Sequence, residues 1–180
     1  MTTIEPIVRA IPPTGRGTEL AAPASAPTLD WSEAEQGLNT DTFCWLATVR
    51  PGGAPHVVPV FAVWSGSSVF VSSKDSSRKS RNLAADGRCV VTTQAAGAHL
   101  VVEGTATRVS DRDTLQHASE VFETVYGWPT TVTGDAIDAP YSAPTSGGPP
   151  FGIHEITPTT AFAFPAEGNF MPTRWQFPTG

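Results

Sequence analysis

Residues 72–83 read Ser72-Ser73-Lys74-Asp75-Ser76-Ser77-Arg78-Lys79-Ser80-Arg81-Asn82-Leu83. Four of the eleven Lys and Arg residues of an acidic chain fall here, and Lys74 and Lys79 are its only lysines. Serine hydroxyls alternate with the cations, and the apolar run Val69-Phe70-Val71 leads in. This order predicts a strand, a turn and a helix. Hydroxyls, free backbone N–H groups and cations then meet at a helix N-terminus, which is the chemistry of a phosphate site. A charge run is equally an ordinary solvated helix start, so the flanking elements must decide between the two.

At 180 residues the chain suits one domain with a core of its own. The net charge of −6 argues against a nucleic-acid surface, which needs a broad basic face. The basic cluster suits one phosphorylated small molecule better than a duplex. Cys44 and Cys89 read as buried reduced thiols, and two cysteines make no disulfide framework. No apolar run has membrane-spanning length, and the first residues lack the apolar stretch of a signal peptide. The expectation is a soluble cytoplasmic protein.

Residues 1–28 are rich in Pro, Ala, Thr and Gly, and read as a flexible arm; residues 29–180 form the domain. A short helix with Trp31, Ala34 and Leu38 on one face comes first. Phe43–Val49 is a strand, Arg50–Pro55 a turn, and His56–Trp64 a second strand. Pro59 cannot donate to a ladder, so it marks an edge or a bulge. Val69–Ser73 is the third strand, and a helix follows from about Ser76 to Asp86. Arg88–Gln94 and Ala98–Val109 are further strands joined at Ala95-Ala96-Gly97. An amphipathic helix runs to Tyr126 with Leu115, Ala118, Val121, Phe122 and Val125 at helical spacing. Residues 130–150 carry no periodicity and read as one long loop, either functional or disordered. Ile153–Phe164, a strand broken at Pro158, and a last strand over Asn169–Phe177 close the chain. Short strands, tight turns and few helices predict a mainly β protein, a small β-barrel with flanking helices.

The segments Trp45–Val60, Ser76–Leu83 and Thr173-Arg174-Trp175-Gln176-Phe177, in this order, resemble the split β-barrel family of flavin- and deazaflavin-dependent oxidoreductases related to pyridoxamine 5′-phosphate oxidase. The resemblance spans about residues 29–177 and implies a homodimer that binds FMN or deazaflavin F420 in clefts between subunits. It assigns the cofactor phosphate to Ser77, Arg78 and Lys79, with Ser73 and Lys74 as neighbours. The strand of His56, Val57, Val58, Pro59, Val60 and Phe61 would lie along the tricyclic ring. Arg174 and Trp175 would approach from the end of the chain, although Trp175 reads equally as a core aromatic. Arg81 would reach the anionic tail of F420 or simply cover its helix. Gln94 would bond a ring or ribityl oxygen, or be an ordinary strand-end glutamine.

Hydride transfer to a small-molecule substrate is the chemistry this resemblance implies, and it calls for no nucleophile. The substrate would stack beneath the 130–150 loop, with Trp128, Tyr141 or Phe151 as walls. His56, Tyr141, Arg174 or water could supply a proton. The ending lacks the arginine- and histidine-rich pattern that grips pyridoxine phosphate, which disfavours that oxidation. A non-catalytic flavin- or haem-binding carrier on the same barrel is the alternative. His56, His99, His117 and His154 show no paired ligand spacing, so no metal site is expected.

Overall fold

A computed structural model describes residues 5–12, 26–39, 43–95, 97–166 and 169–178. The Val- and Thr-rich segments form eleven strands: β1 (Ile7–Ala10), β2 (Cys44–Val49), β3 (Pro55–Val60), β4 (Ala62–Trp64), β5 (Val69–Ser73), β6 (Arg88–Ala95), β7 (Ala98–Val109), β8 (Thr131–Thr133), β9 (Ala136–Asp138), β10 (Gly152–Pro165) and β11 (Thr173–Gln176). Three helices flank them: α1 (Trp31–Leu38), α2 (Arg78–Ala85) and α3 (Arg112–Tyr126). The main sheet runs β1-β11-β10-β7-β6-β2-β3, with β5 bridging β10 and β4. Every pairing between strands is antiparallel.

One edge of β10 serves two partners. Residues 152–156 pair with β5, and residues 160–163 pair with β11. Pro158, which has no N–H to donate, stands where the partner changes, and the β7 register shifts between Pro158 and Thr160. The sheet therefore splits and wraps around a core of Leu46, Trp64, Val71, Val91, Ile156 and Trp175. α1 and α2 cover this core with Ala34, Leu38 and Leu83. A second core of Phe70, Leu115, Phe122, Ile137 and Ile153 lies under α3. β5 sits between them: Val69 and Val71 face one core and Phe70 the other. Burial on both faces explains why its sequence is a continuous apolar run rather than an alternation.

The arm and the long loop both hold structure that composition concealed. Ile7–Ala10 pairs with β11, so part of the arm is an edge strand; residues 1–4 and 13–25 lie outside the described residues, as does Ala96 of the β6–β7 turn. The 130–150 segment opens with the β8–β9 hairpin and becomes irregular only from Ala139. The strand expected over His56–Trp64 is two strands that part at Phe61.

Gly104 of β7 faces Pro158's neighbours across the bulge. A Cβ there would lie 2.3 Å from the Thr157 carbonyl oxygen and 2.9 Å from Ile156 Cγ2. The obstacle is backbone, so it cannot swing aside. Gly104→Ala is expected to destabilise the protein by about 2–3 kcal/mol, read as a lower urea midpoint at unchanged slope.

Candidate functional site

Ser73, at the end of β5, is buried, and its Oγ lies 2.8 Å from Ser77 Oγ. The turn between them closes through Ser77 N–H donating to the Lys74 carbonyl at 2.9 Å. Ser77 caps α2, its Oγ accepting from Ser80 N–H at 3.2 Å. Serine prefers this position because its short side chain satisfies a helix N–H that has no partner in the helix. The helix is tied down by Leu83 in the core and by Asn82 Nδ2, which donates to Thr48 Oγ1 at 2.9 Å. Sequence thus fixes strand end, turn and helix start as one rigid corner.

This corner walls a cavity of about 450 Å³. Ser72, Ser73, Lys74, Ser77 and Lys79 form the polar wall; Phe43, Val58, Pro59, Val60 and Phe61 form the apolar one. Trp128, Phe151 and the segment Ser142, Ala143, Thr145 and Ser146 cover it. Trp128 Nε1 donates to the Tyr141 carbonyl at 2.9 Å, and Tyr141 OH donates to the Gly127 carbonyl at 3.0 Å, so the covering segment is pinned at its root.

Among the described residues no Asp or Glu lines the cavity. Among the described residues the ion pairs are Arg88–Asp86, Arg108–Asp75 and Arg108–Asp135, and none of them engages Lys74, Arg78, Lys79 or Arg81. Burial pushes the Lys79 ammonium below its ordinary pKa. Desolvation first, then the nearby charges of Arg50, Arg78 and Lys79, lowers the His56 imidazole. The cavity therefore offers uncompensated positive charge beside hydroxyls and a helix start, which attracts an anion. A wider groove of about 630 Å³ between α1 and α3 contains Glu35 and Glu120 and no Lys or Arg, so it repels one.

Val58, Pro59, Val60, Ser73, Lys74, Ser77 and Lys79 meet at the cavity. The other sequence-predicted positions do not line it. His56 and Val57 continue β3 beyond it, with Val57 exposed. Arg78 and Arg81 lie on the exposed side of α2. Gln94 is exposed near the β6–β7 turn, paired across the ladder with His99. Arg174 is exposed over the Phe162 ring at 5.9 Å. Trp175 takes its core alternative: it is fully buried, edge-on to Trp31 at 5.3 Å. The β11 ladder turns Thr173 and Trp175 inward and Arg174 outward, so the two cannot share one wall.

Trp128 and Phe151 line the cavity, whereas the Tyr141 side chain stays outside it, its OH donating to the Gly127 carbonyl and its own carbonyl accepting from Trp128 Nε1. Phe61, the last residue of the strand expected along the ring, lines the cavity, whereas Phe43, Ser72 and the individual Ser142–Ser146 residues are not among the sequence-predicted site residues. Ser72 adjoins an assigned position and could have been reached by extension. The Ser142–Ser146 segment has no periodicity or motif to reveal it.

The family described as pyridoxamine 5′-phosphate oxidase matches residues 31–162, most of the chain. The chain belongs to that family. Solved structures show the same fold across the family's range. An F420 reductase is 22% identical with a TM-score of 0.52, covering 71% of this chain and 94% of its own. A conserved hypothetical protein from Mycobacterium tuberculosis is 19% identical with a TM-score of 0.59, covering 82% and 91%. General stress protein 26 from Bacillus anthracis str. Sterne is 14% identical with a TM-score of 0.53, covering 74% and 92%. At these identities the likeness is one of fold. No curated protein matches the chain.

Proposed function

We propose that the protein is an oxidoreductase that transfers a hydride between F420 or FMN and a small organic acceptor. The observation that carries this reading is the pair of uncompensated ammonium groups, Lys74 and Lys79, at the capped start of α2 beside an aromatic cavity. A phosphate-bearing tricyclic ring matches both halves: anion at the corner, flat apolar body against Val58–Phe61 and Trp128. When bound, such a cofactor supplies the hydride chemistry, and the protein supplies binding, orientation and exclusion of water. Lys79, Lys74 and the Ser77 hydroxyl hold the phosphate. Phe43, Phe61, Trp128 and Phe151 keep the ring and the acceptor out of water. His56, Tyr141 and Arg174 do not line the cavity of this protomer.

The exposed apolar residues Phe43, just before β2, Trp45 on β2 and Val57 on β3 support a homodimer that covers them. Burial raises the pKa of Cys44 and takes Cys89 up to about 12, so both buried thiols stay protonated and inert. That fits a cytoplasmic setting. Among the described residues no helix is long and apolar enough to cross a membrane. Arg78 and Arg81, charged and without carboxylate partners beside the corner, favour F420, whose tail continues the anion.

One observation favours a second reading. Among the described residues no Asp, Glu, His, Tyr or Cys lines the cavity, and a carrier that binds the cofactor without turning it over fits the same walls. Titration with FMN, followed by absorbance, and with F420, followed by fluorescence quenching, tests the shared claim; binding of neither overturns it. Single-turnover oxidation of the bound reduced cofactor by candidate acceptors separates enzyme from carrier. Lys79→Ala is expected to weaken cofactor binding by about 1.5–3 kcal/mol through loss of a charge-assisted hydrogen bond, with the fold unchanged by circular dichroism.

A further inference from the structure

Arg108 does not touch the cavity, yet it holds both segments that enclose it. Its side chain, near the end of β7, is only 26% exposed. Nε donates to Asp75 Oδ1 at 3.1 Å and Nη2 donates to Asp75 Oδ2 at 3.3 Å. Nη1 donates to the Asp135 carbonyl at 2.9 Å and also to the Val109 carbonyl. Asp75 belongs to the Lys74–Ser77 turn, which is the anion corner. Asp135 belongs to the β8–β9 turn, and β9 leads directly into the Ser142–Ser146 cover. Gly147, just after the cover, also lies close to the corner: a Cβ added there would come within 3.4 Å of Lys74 Cδ.

The chain clears space for this clamp. A Cβ on Gly152 would lie 2.4 Å from Asp75 Oδ1 and 2.6 Å from Arg108 Nε. The ion pair therefore crosses β10 flat against its backbone, at a residue without a side chain. An isolated surface pair would contribute little. A forked guanidinium on a carboxylate instead fixes orientation as well as distance.

We propose that Arg108 is a positioning residue that clamps the anion corner and the covering segment together, so that both close on the phosphate-bearing part of the ligand. The proposal rests on the phosphate reading of the corner. Its signature is selective. Loosening the clamp misplaces Lys74 and Ser77 against the phosphate while the apolar walls for the ring stay intact. The measured quantity is thus the preference for a phosphorylated ligand over its phosphate-free counterpart: FMN against riboflavin, and F420 against its phosphate-free deazaflavin core.

Asp75→Ala, at an exposed side chain, is expected to lower this preference roughly tenfold, and Arg108→Ala to do the same. The double variant should show no further loss, because the two residues act as one pair. Arg108→Lys keeps the charge and loses the fork, so it should also lose the preference. A wild-type preference retained in folded Asp75→Ala, or restored by Arg108→Lys, overturns the proposal while leaving the phosphate reading in place. A wild-type protein that binds FMN no better than riboflavin, and F420 no better than its core, overturns the phosphate reading and this proposal with it.

Discussion

Trp175→Ala is expected to destabilise the fold by about 3–5 kcal/mol, the cost of deleting a fully buried large aromatic. Trp175 lies edge-on to Trp31, which also packs edge-on against Trp64 at 5.2 Å and Phe177 at 5.0 Å. Removing one ring strips contacts from this cluster and opens a cavity that rigid strands β10 and β11 cannot collapse around. Trp175→Phe keeps a ring, and it also removes an indole N–H that has no hydrogen-bond partner within the protein. Its cost should be about 1–2 kcal/mol. Urea midpoints measure both. The comparison also separates the two roles open to this residue. Cofactor affinity unchanged in Trp175→Phe is the expected result, because the side chain faces the core. A tenfold loss of affinity at near-wild-type stability would put the ring in the binding site after all.

Acidification is expected to cost about 3 kcal/mol of stability by pH 4 through His154 alone. This imidazole is buried on β10, and its Nδ1 has no hydrogen-bond partner within the protein. Burial is the main cause that takes its pKa from 6.5 down to about 4; the Arg108 charge adds to the fall, Asp75 opposes it, and Lys79 adds a smaller part. The folded-state value lies below the unfolded one, so the unfolded chain takes up the proton first as pH drops. The contribution is complete above about pH 6.5 and is lost as pH falls through the folded value of about 4. His154→Leu removes the titrating group, so the difference in stability between pH 7 and pH 4 should shrink by most of that amount. Equal acid sensitivity in wild type and variant would show that His154 is charged or solvated in the folded protein.

How far the sequence could be read follows from how local each cause is. The helix start near Ser76 was legible because it depends on a few neighbouring residues, and the structure makes Ser77 its cap. Val69–Val71 was legible as a strand because burial on both faces leaves an unbroken apolar run. β8 and β9 are three residues each, shorter than any window in which alternation can be counted. β1 was hidden by its surroundings, since Ile7 and Val8 stand between Pro6 and Pro12 in a segment whose composition favours disorder. The alternation Thr173, Trp175 placed those two on one face, and only the pairing of β11 with β10 says that this face is inward. The site divides in the same way. Its polar corner is contiguous in sequence, whereas Phe43, Phe61 and Ser142–Ser146 are brought together by topology. The Arg108–Asp75 clamp joins residues on different elements and leaves no trace in spacing.

The pairing of β1 with β11 also bears on how the chain is made. β1 (Ile7–Ala10) is synthesised well before its ladder partner β11 (Thr173–Gln176). At about 5–20 residues per second the wait is on the order of ten seconds. Throughout that time Ile7 and Val8 form an apolar edge with nothing to bind. Pro6, Arg9 and Pro12 surround them, and prolines and charges at such places interrupt pairing with stray strands. The contact is also of the longest range in the fold, so its loop closure comes late and slows the last step of folding. The edge strand of the finished barrel is, during its own synthesis, the segment most in need of protection from other chains.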